Sequence, residues 1–400
     1  MKTLLQINTN VGWNAPGILC ESIGRAAIND GWQSVIAYGR DMVNPTHSAS
    51  HLLKIGTRQD ILIHGILSRF GDHHGHGSVN PTKDLIRHIE ILSPDIIHLH
   101  NIHGYYLNYE LLFSYLSTIS TPVVWSLHDC WPITGHCAYF STARCSRWRY
   151  GCHSCPLKAE YPSSWIFDRS HRNYESRRRS FTSMPQMHIV TVSDWLRDTV
   201  RQSFLQKYNV STIYNFIPTQ SLESSVNEEP TVIAAASRWE TRKGLRHIAT
   251  MRKILPPYIR IRVAGLSRRQ IAALPSGIEG LPRLNDRESL LRLYSSASVF
   301  VNTSEAESLS TVNIEAQSCG TPVVAFGSGG MPETVNPFTG IIVPPGNIYA
   351  MCEAVRYILS HPFKYSAEAC QNFVRTRFSY ENTLAKYIEL YYSLISGTCL

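Results

Sequence analysis

A chain of 400 residues is long enough for two domains, each with its own hydrophobic core. Its 43% hydrophobic and 17% charged residues are typical of a globular protein, and no apolar run is long enough to predict a transmembrane helix. The formal net charge of +8 leaves three kinds of anionic partner open: nucleic acid, an anionic membrane and a phosphorylated substrate. Residues 1–7 lack the apolar core of a signal peptide and predict a first buried strand, so we expect a cytosolic protein.

Short apolar strands alternate with helical segments through the first half of the chain. The predicted strands are Leu4–Asn8, Ser34–Gly39, Asp95–Asn101, Pro122–His128 and Met187–Ser193. The predicted helices run from Pro16 to Ile28, from Thr82 to Leu92, from Tyr106 to Ile119 and onward from Asp194. Repeated strand-helix-strand units with nearly continuous apolar strands predict a parallel, doubly wound sheet.

A polar segment at Ser221–Pro230 is typical of a linker, and the alternation begins again after it. The strands predicted there are Thr231–Ala236, Ile259–Ala264 and Val299–Thr303, and the helices are Gly244–Leu255 and Arg287–Ser296. We therefore expect an α/β chain with two Rossmann-like domains, 1–220 and 221–375, facing each other across a ligand cleft. A terminal helical segment over 376–400 is expected to pack back on the first domain.

Two carboxylates eight residues apart, Glu307 and Glu315, flank a predicted helix start at Ser308 or Ser310. Eight helical residues rise about 12 Å, which is too far for two carboxylates to act on one glycosidic bond. The spacing suits the two ends of one extended ligand, with free N–H groups between them facing an anion such as a diphosphate. An amphipathic helix with two solvated glutamates explains this segment equally well.

Four cysteines lie close together within an insertion predicted at 130–160: Cys137, Cys145, Cys152 and Cys155. Disulfides are disfavoured in a cytosolic chain, and four thiolates that include one Cys-x2-Cys pair suit tetrahedral zinc. Such a zinc ion would be structural, because the protein supplies all four ligands. Four unliganded thiols are the alternative, since the other spacings are not those of a common zinc finger.

Five arginines cluster in one helical segment between Arg169 and Arg179, which follows the apolar residues Trp165, Ile166 and Phe167. A basic helix that carries aromatic residues is suited to an anionic membrane surface. A solvated helix face accounts for the same composition.

Several short motifs follow one another in the second half. They are Ser237-Arg238, Arg242-Lys243-Gly244, Glu307-x7-Glu315-Ala316, Cys319-Gly320-Thr321-Pro322-Val323-Val324, Gly329-Gly330-Met331-Pro332-Glu333 and Gly340. In this order they resemble the donor domain of family 4 retaining glycosyltransferases, which have the GT-B architecture, and especially the transferases of bacterial exopolysaccharide and O-antigen assembly. The first half resembles the family less tightly, through Gly12 with Pro16-Gly17, through His98-Leu99-His100-Asn101 and through His128-Asp129-Cys130-Trp131. The cysteine segment also resembles an insertion seen in a branch of these transferases.

The resemblance implies roles for the motif residues of the second half. Arg238 and Lys243 would bind the donor diphosphate, where their charge stabilises the leaving phosphate. Glu315 would accept hydrogen bonds from the ribose hydroxyls, and Glu307 would lie beside the transferred sugar. Where the family usually carries Gly-Phe-Gly, this chain has Ser308-Leu309-Ser310, a departure that predicts a change in donor specificity.

In the first half, the resemblance implies that His128 contacts the donor sugar, whereas a buried strand-end histidine is the alternative. Gly12 and Gly17 flank a strand-to-helix loop that can approach a phosphate or an acceptor closely. The acceptor-side candidates are His100, Asn101 and Asp129.

The implied reaction moves a sugar, with retention of configuration, from a nucleotide-diphosphate donor to a hydroxyl of a glycan acceptor, expected to be lipid-linked. We expect no catalytic cofactor because the chain has no Asp-x-Asp motif, and the departing phosphate would itself accept the acceptor proton. The expected location is the cytoplasm, at the inner face of the cytoplasmic membrane. A nucleotide-sugar epimerase of the same architecture is one alternative, and a basic zinc-containing nucleic-acid-binding protein is another. The ordered motifs disfavour nucleic acid as a partner.

Overall fold

A computed structural model describes residues 1–41, 48–217, 229–284 and 286–398. The chain divides into two compact units, the first comprising Met1–Asn215 with Glu381–Leu400 and the second Phe216–Tyr380. The predicted linker lies outside the described residues up to position 228, and so does the expected boundary between 220 and 221.

The first unit is built on a parallel sheet of seven strands, of which the central β1, β4 and β5 are fully buried. In chain order they are β1 (Thr3–Asn8), β2 (Gln33–Tyr38), β3 (His51–Lys54), β4 (Ile96–Leu99), β5 (Val123–Leu127), β6 (His188–Thr191) and β7 (Asn209–Thr212). The strand order β3-β2-β1-β4-β5-β6-β7 reverses direction between β1 and β4, where Leu4 pairs with Ile96. In open parallel sheets ligands bind outside the carboxyl ends of the strands at such a reversal.

Helices connect these strands. They are α1 (Asn14–Asn29), α2 (Arg58–Gly71), α3 (Val79–Leu92), α4 (Tyr109–Leu116), α5 (Ser170–Phe181) and α6 (Asp194–Val200). Three short 3-10 turns follow β5, at Trp131–Ile133, Phe140–Ala143 and Arg147–Arg149. The segment between β5 and α5 is therefore a long, mostly irregular excursion, and it carries the four clustered cysteines.

The second unit repeats the pattern with a parallel sheet of six strands in the order β10-β9-β8-β11-β12-β13. The strands are β8 (Thr231–Ala235), β9 (Arg260–Leu266), β10 (Ile278–Pro282), β11 (Val299–Asn302), β12 (Val323–Phe326) and β13 (Gly340–Val343). The helices are α7 (Leu245–Ile254), α8 (Arg268–Ala272), α9 (Arg287–Ser295), α10 (Thr311–Ser318), α11 (Ile348–Ser360) and α12 (Ala367–Arg377). Here the order reverses between β8 and β11.

The last helix, α13 (Tyr380–Ser396), belongs almost entirely to the first unit. Its residues Tyr387 and Tyr391 are fully buried. The Tyr391 hydroxyl lies 2.6 Å from Nδ1 of His98, and the Tyr387 hydroxyl lies 3.1 Å from Oγ of Ser126. The first unit therefore takes part of its core from the end of the chain.

Among the described residues, no helix has both the length and the apolar character needed to cross a membrane.

Candidate functional site

In the second unit, β11 ends at Asn302, whose buried side chain fixes the path of the segment that follows. Its amide nitrogen donates to Oγ of Ser310 and to Oδ1 of Asn313, both at 2.8 Å. Its amide oxygen accepts from the backbone N–H of Ser304 at 3.0 Å. Because one strand-end side chain holds both ends of the loop 304–310, this loop has a defined conformation at the carboxyl edge of the sheet.

The backbone of Glu307 is held inside this loop by two consecutive glycines. The N–H of Gly330 donates to the carbonyl oxygen of Glu307 at 3.0 Å. A Cβ atom on Gly329 would lie 1.9 Å from that same oxygen, and Gly329 has a φ of +60°. Both the short Cβ distance and the positive φ require glycine at position 329.

Glu307 is 8% exposed, and its carboxylate faces two cations. It forms an ion pair with Lys243, and Nη1 of Arg242 lies 3.5 Å from its Oε1. Burial by itself would raise the pKa of Glu307, but the charges of Lys243 and Arg242 outweigh burial and hold that pKa below its ordinary value. A buried carboxylate between two cations is therefore ionised at neutral pH.

The two cations lie on the 3-10 turn Thr241–Lys243, which packs directly against the Glu307 loop. Arg242 donates to the carbonyl oxygen of Ala306 at 3.0 Å, and its own carbonyl accepts from the N–H of Glu305 at 2.8 Å. Gly244 follows with a φ of +73°, and a Cβ there would lie 2.3 Å from the Thr303 carbonyl oxygen. Arg242 was not assigned a role from the sequence, although it stands in the quoted motif beside Lys243.

Glu315 lies on α10, and its Oε2 accepts a hydrogen bond from the Tyr294 hydroxyl at 3.2 Å. Burial raises the pKa of Glu315 above its ordinary value, although Tyr294 and the nearby Arg287 act against that shift. Tyr294 is fully buried on α9 and was not anticipated, because no local pattern relates it to Glu315.

Of the two predicted starts of α10, Ser310 does stand in the N-cap position, but the helical path assumed from Glu307 to Glu315 is wrong. The helix begins at Thr311, and the Ser310 hydroxyl accepts from Asn302 instead of capping α10. Glu307 therefore lies before the helix in an irregular loop, so the helical rise used to separate it from Glu315 does not apply. Ser308 and Leu309 are both buried, and no described residue pairs with the Ser308 hydroxyl.

In the first unit, three histidines lie at the carboxyl ends of β4 and β5. His98 bonds through Nδ1 to Tyr391 and, at 2.8 Å, through Nε2 to Oγ of Ser126. His100 donates from Nε2 to Oε1 of Gln6 at 3.1 Å. Burial lowers the pKa of His98 to about 3 and that of His100 well below its ordinary value. Both rings are therefore neutral at pH 7.

His128 follows directly after β5 and completes this group. Because His100 donates from Nε2, its Nδ1 is the acceptor for Nε2 of His128, 3.4 Å away. Burial lowers the pKa of His128 to about 4, so the ring is neutral and its Nδ1 is an acceptor. That Nδ1 is buried and has no partner among the described residues. His128 therefore offers an unused hydrogen-bond acceptor.

Asp129 is held on both oxygens by the protein. Oδ2 accepts from Nε2 of His103 at 3.0 Å, and Oδ1 accepts from the backbone N–H of Trp131 at 2.9 Å. Burial would raise the pKa of Asp129, but His103 outweighs it and the pKa is lowered. The structure thus gives Asp129 a local partner, His103, that the sequence reasoning missed.

The glycines after β1 form a tight turn into α1. The Gly12 N–H donates to the Gly17 carbonyl at 3.1 Å, and Gly12 has a φ of +65°. A Cβ on Gly17 would lie 2.3 Å from Oδ1 of Asn10, an oxygen that is buried without a partner among the described residues. Asn101 contributes through its backbone, since its N–H donates to Oδ1 of Asn8 at 3.3 Å.

Two family profiles match the chain, and together they span most of it. Residues 217–377 match the profile described as glycosyl transferases group 1. Residues 19–221, half of the chain, match the profile described as glycosyltransferase family 4. The chain belongs to glycosyltransferase family 4. The family predicted from the ordered motifs is therefore confirmed.

Individual relatives include two bacterial glycosyltransferases. The putative colanic acid biosynthesis glycosyl transferase WcaC of Escherichia coli is 28% identical over 192 residues, which cover 45% of this chain and 46% of WcaC. The D-inositol 3-phosphate glycosyltransferase of Corynebacterium urealyticum is 27% identical over 329 residues, which cover 73% of each chain. The chain thus spans less than half the length of some of these relatives, WcaC among them.

Solved structures of low identity share the fold over nearly the whole chain. Sucrose-phosphate synthase from Thermosynechococcus elongatus superposes with a TM-score of 0.74 at 17% identity, covering 99% of this chain and 100% of that one. HepE from Anabaena, solved in complex with UDP, gives a TM-score of 0.66 at 16% identity and covers 98% and 100%. The predicted fold class, two doubly wound α/β domains of GT-B type, is confirmed.

Two further predictions for this family 4 chain concern residues outside these clusters. Arg238 is exposed just after β8, and no described residue forms an ion pair with it.

The membrane-binding helix predicted around Arg169–Arg179 is α5, but its Arg177 is fully buried. Arg177 stacks 3.8 Å from the ring of Trp131 and donates to the carbonyl oxygens of Trp131 and Thr134. Tyr174 and Phe181 are buried as well, so α5 does not present a continuous basic and aromatic face, and its contact with a membrane stays a prediction.

The four clustered cysteines, Cys137, Cys145, Cys152 and Cys155, all line one small cavity. A hydrogen bond between the Cys137 and Cys155 thiols raises the pKa of Cys137 and lowers that of Cys155 to about 7. The Gly135 N–H donates to Sγ of Cys152 at 3.2 Å. Within the described part of the chain, no three His, Cys, Asp or Glu side chains are positioned to hold a metal ion. The zinc site stays a prediction.

Proposed function

We propose that this chain is a retaining glycosyltransferase that moves a sugar from a nucleotide-diphosphate donor to a glycan hydroxyl in cell-surface polysaccharide synthesis. The observation that carries the proposal is the cluster of Lys243, Arg242 and Glu307 at the carboxyl edge of a family 4 sheet. Two similar proteins support it: WcaC is a putative colanic acid biosynthesis glycosyl transferase, and HepE was solved with UDP-glucose.

The donor diphosphate is proposed to bind beside Lys243 and Arg238, with Arg242 as an additional cation. Positive charge placed before the reaction stabilises the negative charge that develops on a departing phosphate. The first N–H groups of α10 point toward the same loop and favour an anion. The buried Ser308 hydroxyl has no described partner and is available to donate to the donor.

Glu307 is proposed to have two roles, one in positioning Lys243 and Arg242 and one in stabilising the transferred sugar. Its carboxylate holds Lys243 and Arg242 in place, and it lies where positive charge on the transferred sugar would be stabilised. Glu315 accepts from the ribose hydroxyls of the nucleoside, which requires its ionised form. The raised pKa of Glu315 keeps part of that carboxylate protonated in mildly acidic solution.

His128 is proposed to accept a hydrogen bond from a sugar hydroxyl through its unpaired Nδ1. His100 and Gln6 support that assignment, because their hydrogen bonds leave Nδ1 of His128 as the acceptor. In the proposed front-face reaction, the acceptor hydroxyl attacks the anomeric carbon on the side from which the phosphate departs, which gives retention without a covalent nucleophile. The departing phosphate takes the acceptor proton. Lys243 and Arg242 supply the charge that a metal ion supplies in other transferases, so the proposal includes no catalytic metal.

The acceptor is proposed to be a lipid-linked glycan, so the chain would work in the cytoplasm at the inner face of the membrane. WaaG, a structural neighbour with a TM-score of 0.65 at 13% identity, is a glycosyltransferase involved in lipopolysaccharide biosynthesis. The four-cysteine cavity is proposed to hold one structural zinc ion, for which the N–H···S bond from Gly135 is a typical supporting contact.

The direct experiment measures the thermal stability of the wild type and of Glu315→Ala against a panel of nucleotide sugars. We expect one donor class to stabilise the wild type and to lose that effect in the variant. Glu288→Ala, at an exposed carboxylate on α9, is the matched control and should keep the stabilisation. If no nucleotide sugar stabilises the wild type, the proposal fails. Product analysis by NMR then separates transfer with retention from epimerisation of the donor.

A further inference from the structure

Helix α2 turns its apolar residues outward. Its exposed side chains recur at one face of the helix, and each is 45% to 63% exposed: Leu62, Ile63, Ile66, Leu67 and Phe70. Its buried positions carry polar or small residues instead, namely His64, Gly65 and Ser68. An amphipathic helix in a globular protein normally does the opposite.

Hydrogen bonds of His64 hold this inverted orientation. Its Nε2 accepts from the N–H groups of Gly75 at 3.0 Å and Gly77 at 3.2 Å, so its Nδ1 donates to Oγ of Ser78 at 2.9 Å. Burial lowers the pKa of His64 to about 4, which keeps the ring neutral and this pattern intact at pH 7. Rotating the apolar face inward would break all three hydrogen bonds.

A second segment extends the exposed apolar face. Trp165, Ile166 and Phe167 are 55% to 59% exposed in the loop before α5. The N–H of Trp165 donates to the carbonyl oxygen of Arg69 at 2.6 Å, and its ring packs edge-on against Phe70 with centroids 5.3 Å apart. The loop 165–167 and the outer face of α2 thus form one surface, which we call the α2 apolar surface. Contiguous exposed apolar surface on this scale marks a site of interaction.

Cations border this surface. Nζ of Lys158 donates to the carbonyl oxygen of Ile166 at 3.1 Å, and the Arg169 guanidinium lies 6.0 Å from the Phe167 ring. Asp60 caps α2 and Asp168 accepts from two N–H groups, so both of these acids are engaged by the backbone, whereas Glu160 is exposed. Exposed apolar and aromatic side chains with cations at their edge match the headgroup region of an anionic bilayer.

We propose that the α2 apolar surface docks the chain on an anionic membrane, with Ile63, Ile66 and Trp165 entering the headgroup region and Lys158 and Arg169 meeting lipid phosphates. The inference rests on the proposed function in one respect: it supplies the membrane contact that a lipid-linked acceptor requires. A symmetric dimer through the same surface is disfavoured, because it would bring two copies of the positive border together.

The test uses flotation of the full chain with vesicles of phosphatidylcholine alone and of phosphatidylcholine mixed with phosphatidylglycerol. Ile63→Glu/Ile66→Glu is the variant, and Ile91→Glu/Phe363→Glu is the control, because Ile91 and Phe363 are exposed on other surfaces and the charge change is the same. We expect the wild type and the control to float with the anionic vesicles, and the variant to bind at least about tenfold more weakly.

Three results would overturn the docking proposal: no binding of the wild type to anionic vesicles, equal binding of the variant, or a wild-type dimer that only the variant disrupts. Circular dichroism establishes that each variant is folded. Thermal stabilisation by a nucleotide sugar is measured on the same proteins, so loss of vesicle binding with intact donor binding separates this proposal from the transferase proposal.

Discussion

Lys243 and Glu307 are 64 residues apart in the chain and form a direct ion pair in the interior of the second unit. The pair joins the turn after β8 to the loop after β11, the two strands between which the sheet order reverses. The charge proposed to bind the donor and the conformation of the Glu307 loop therefore depend on the same contact.

Replacing Lys243 with alanine should destabilise the second unit by about 3 kcal/mol, because Glu307 is left buried with only Arg242 nearby. Urea unfolding measures the loss. The double variant Lys243→Ala/Glu307→Ala should recover part of it, since no buried charge then lacks a partner. Arg260→Ala breaks an exposed pair with Glu229 and should cost less than about 1 kcal/mol. Equal costs for Lys243→Ala and Arg260→Ala would contradict this interpretation.

Glu315→Gln should stabilise the folded chain and weaken donor binding. The folded-state pKa of Glu315 is raised, so the native state binds more protons and stability falls as pH rises from the ordinary glutamate value through the raised one. Glutamine does not titrate, so the variant does not lose stability as pH rises through the raised pKa. Its amide cannot accept hydrogen bonds from both ribose hydroxyls as a carboxylate does, so donor binding should weaken. Unfolding and nucleotide-sugar titrations at several pH values test both halves. A variant that is less stable at neutral pH would count against the assigned sign.

The histidines at the carboxyl edge of the first sheet should make that unit sensitive to acid. His98 has its pKa lowered to about 3, so the unfolded chain binds a proton that the folded chain does not as pH falls below the ordinary value near 6.5. At pH 5 this one residue should cost about 2 kcal/mol relative to pH 7. His98→Gln should reduce the pH dependence of urea unfolding between those values, whatever its effect at pH 7. An unchanged slope would show that His98 is not buried as a neutral ring.

Gly329→Ala should disturb the Glu307 loop more than a glycine substitution elsewhere. Its Cβ would lie 1.9 Å from the Glu307 carbonyl oxygen, so the loop must move and nucleotide-sugar binding should be lost. Gly346 is the matched control, because its φ is +81° but a Cβ there meets no atom within 4 Å. Gly346→Ala should cost only the backbone strain of about 1–2 kcal/mol and keep donor binding. Calorimetric titration with the stabilising nucleotide sugar distinguishes the two variants.

Freshly purified, reduced protein should contain one zinc ion per chain if the four-cysteine cavity is a metal site. Mass spectrometry of the metal content before and after chelation, with Cys152→Ser as the variant, measures this directly. Cys20→Ser is the control, because Cys20 is buried in the first unit away from the cluster. If the purified protein contains no zinc, the metal site is excluded and the four cysteines are free thiols.

The sequence was sufficient to predict the alternation of strands and helices, because parallel strands buried on both faces are short and continuously apolar. Edge strands such as β3 and β10 escaped prediction, since they are partly exposed and lack that signature. Helix α2 was missed too, although its apolar residues recur with helical spacing. The motifs predicted the loop around Glu307, but its partners are distant in the chain. No spacing rule connects Tyr294 to Glu315 or Asn302 to Ser310.

Helix α5 is a second case in which the sequence pattern did not reveal the packing partners. The arginines of α5 suggested a membrane-facing helix, yet Arg177 packs against Trp131 and is fully buried. The composition of a segment shows which charged residues it contains. Whether one of these side chains is buried depends on whether the fold leaves carbonyl oxygens with which it can form hydrogen bonds.

The contact between Tyr391 and His98 has a consequence for synthesis on the ribosome. The first unit cannot bury His98 until α13 has been made, and α13 is translated only after the whole second unit. A nascent chain that ends before residue 380 therefore carries an amino-terminal sheet with an unfilled position beside β4. Premature termination anywhere in the second unit should yield a fragment that chaperones and proteases recognise.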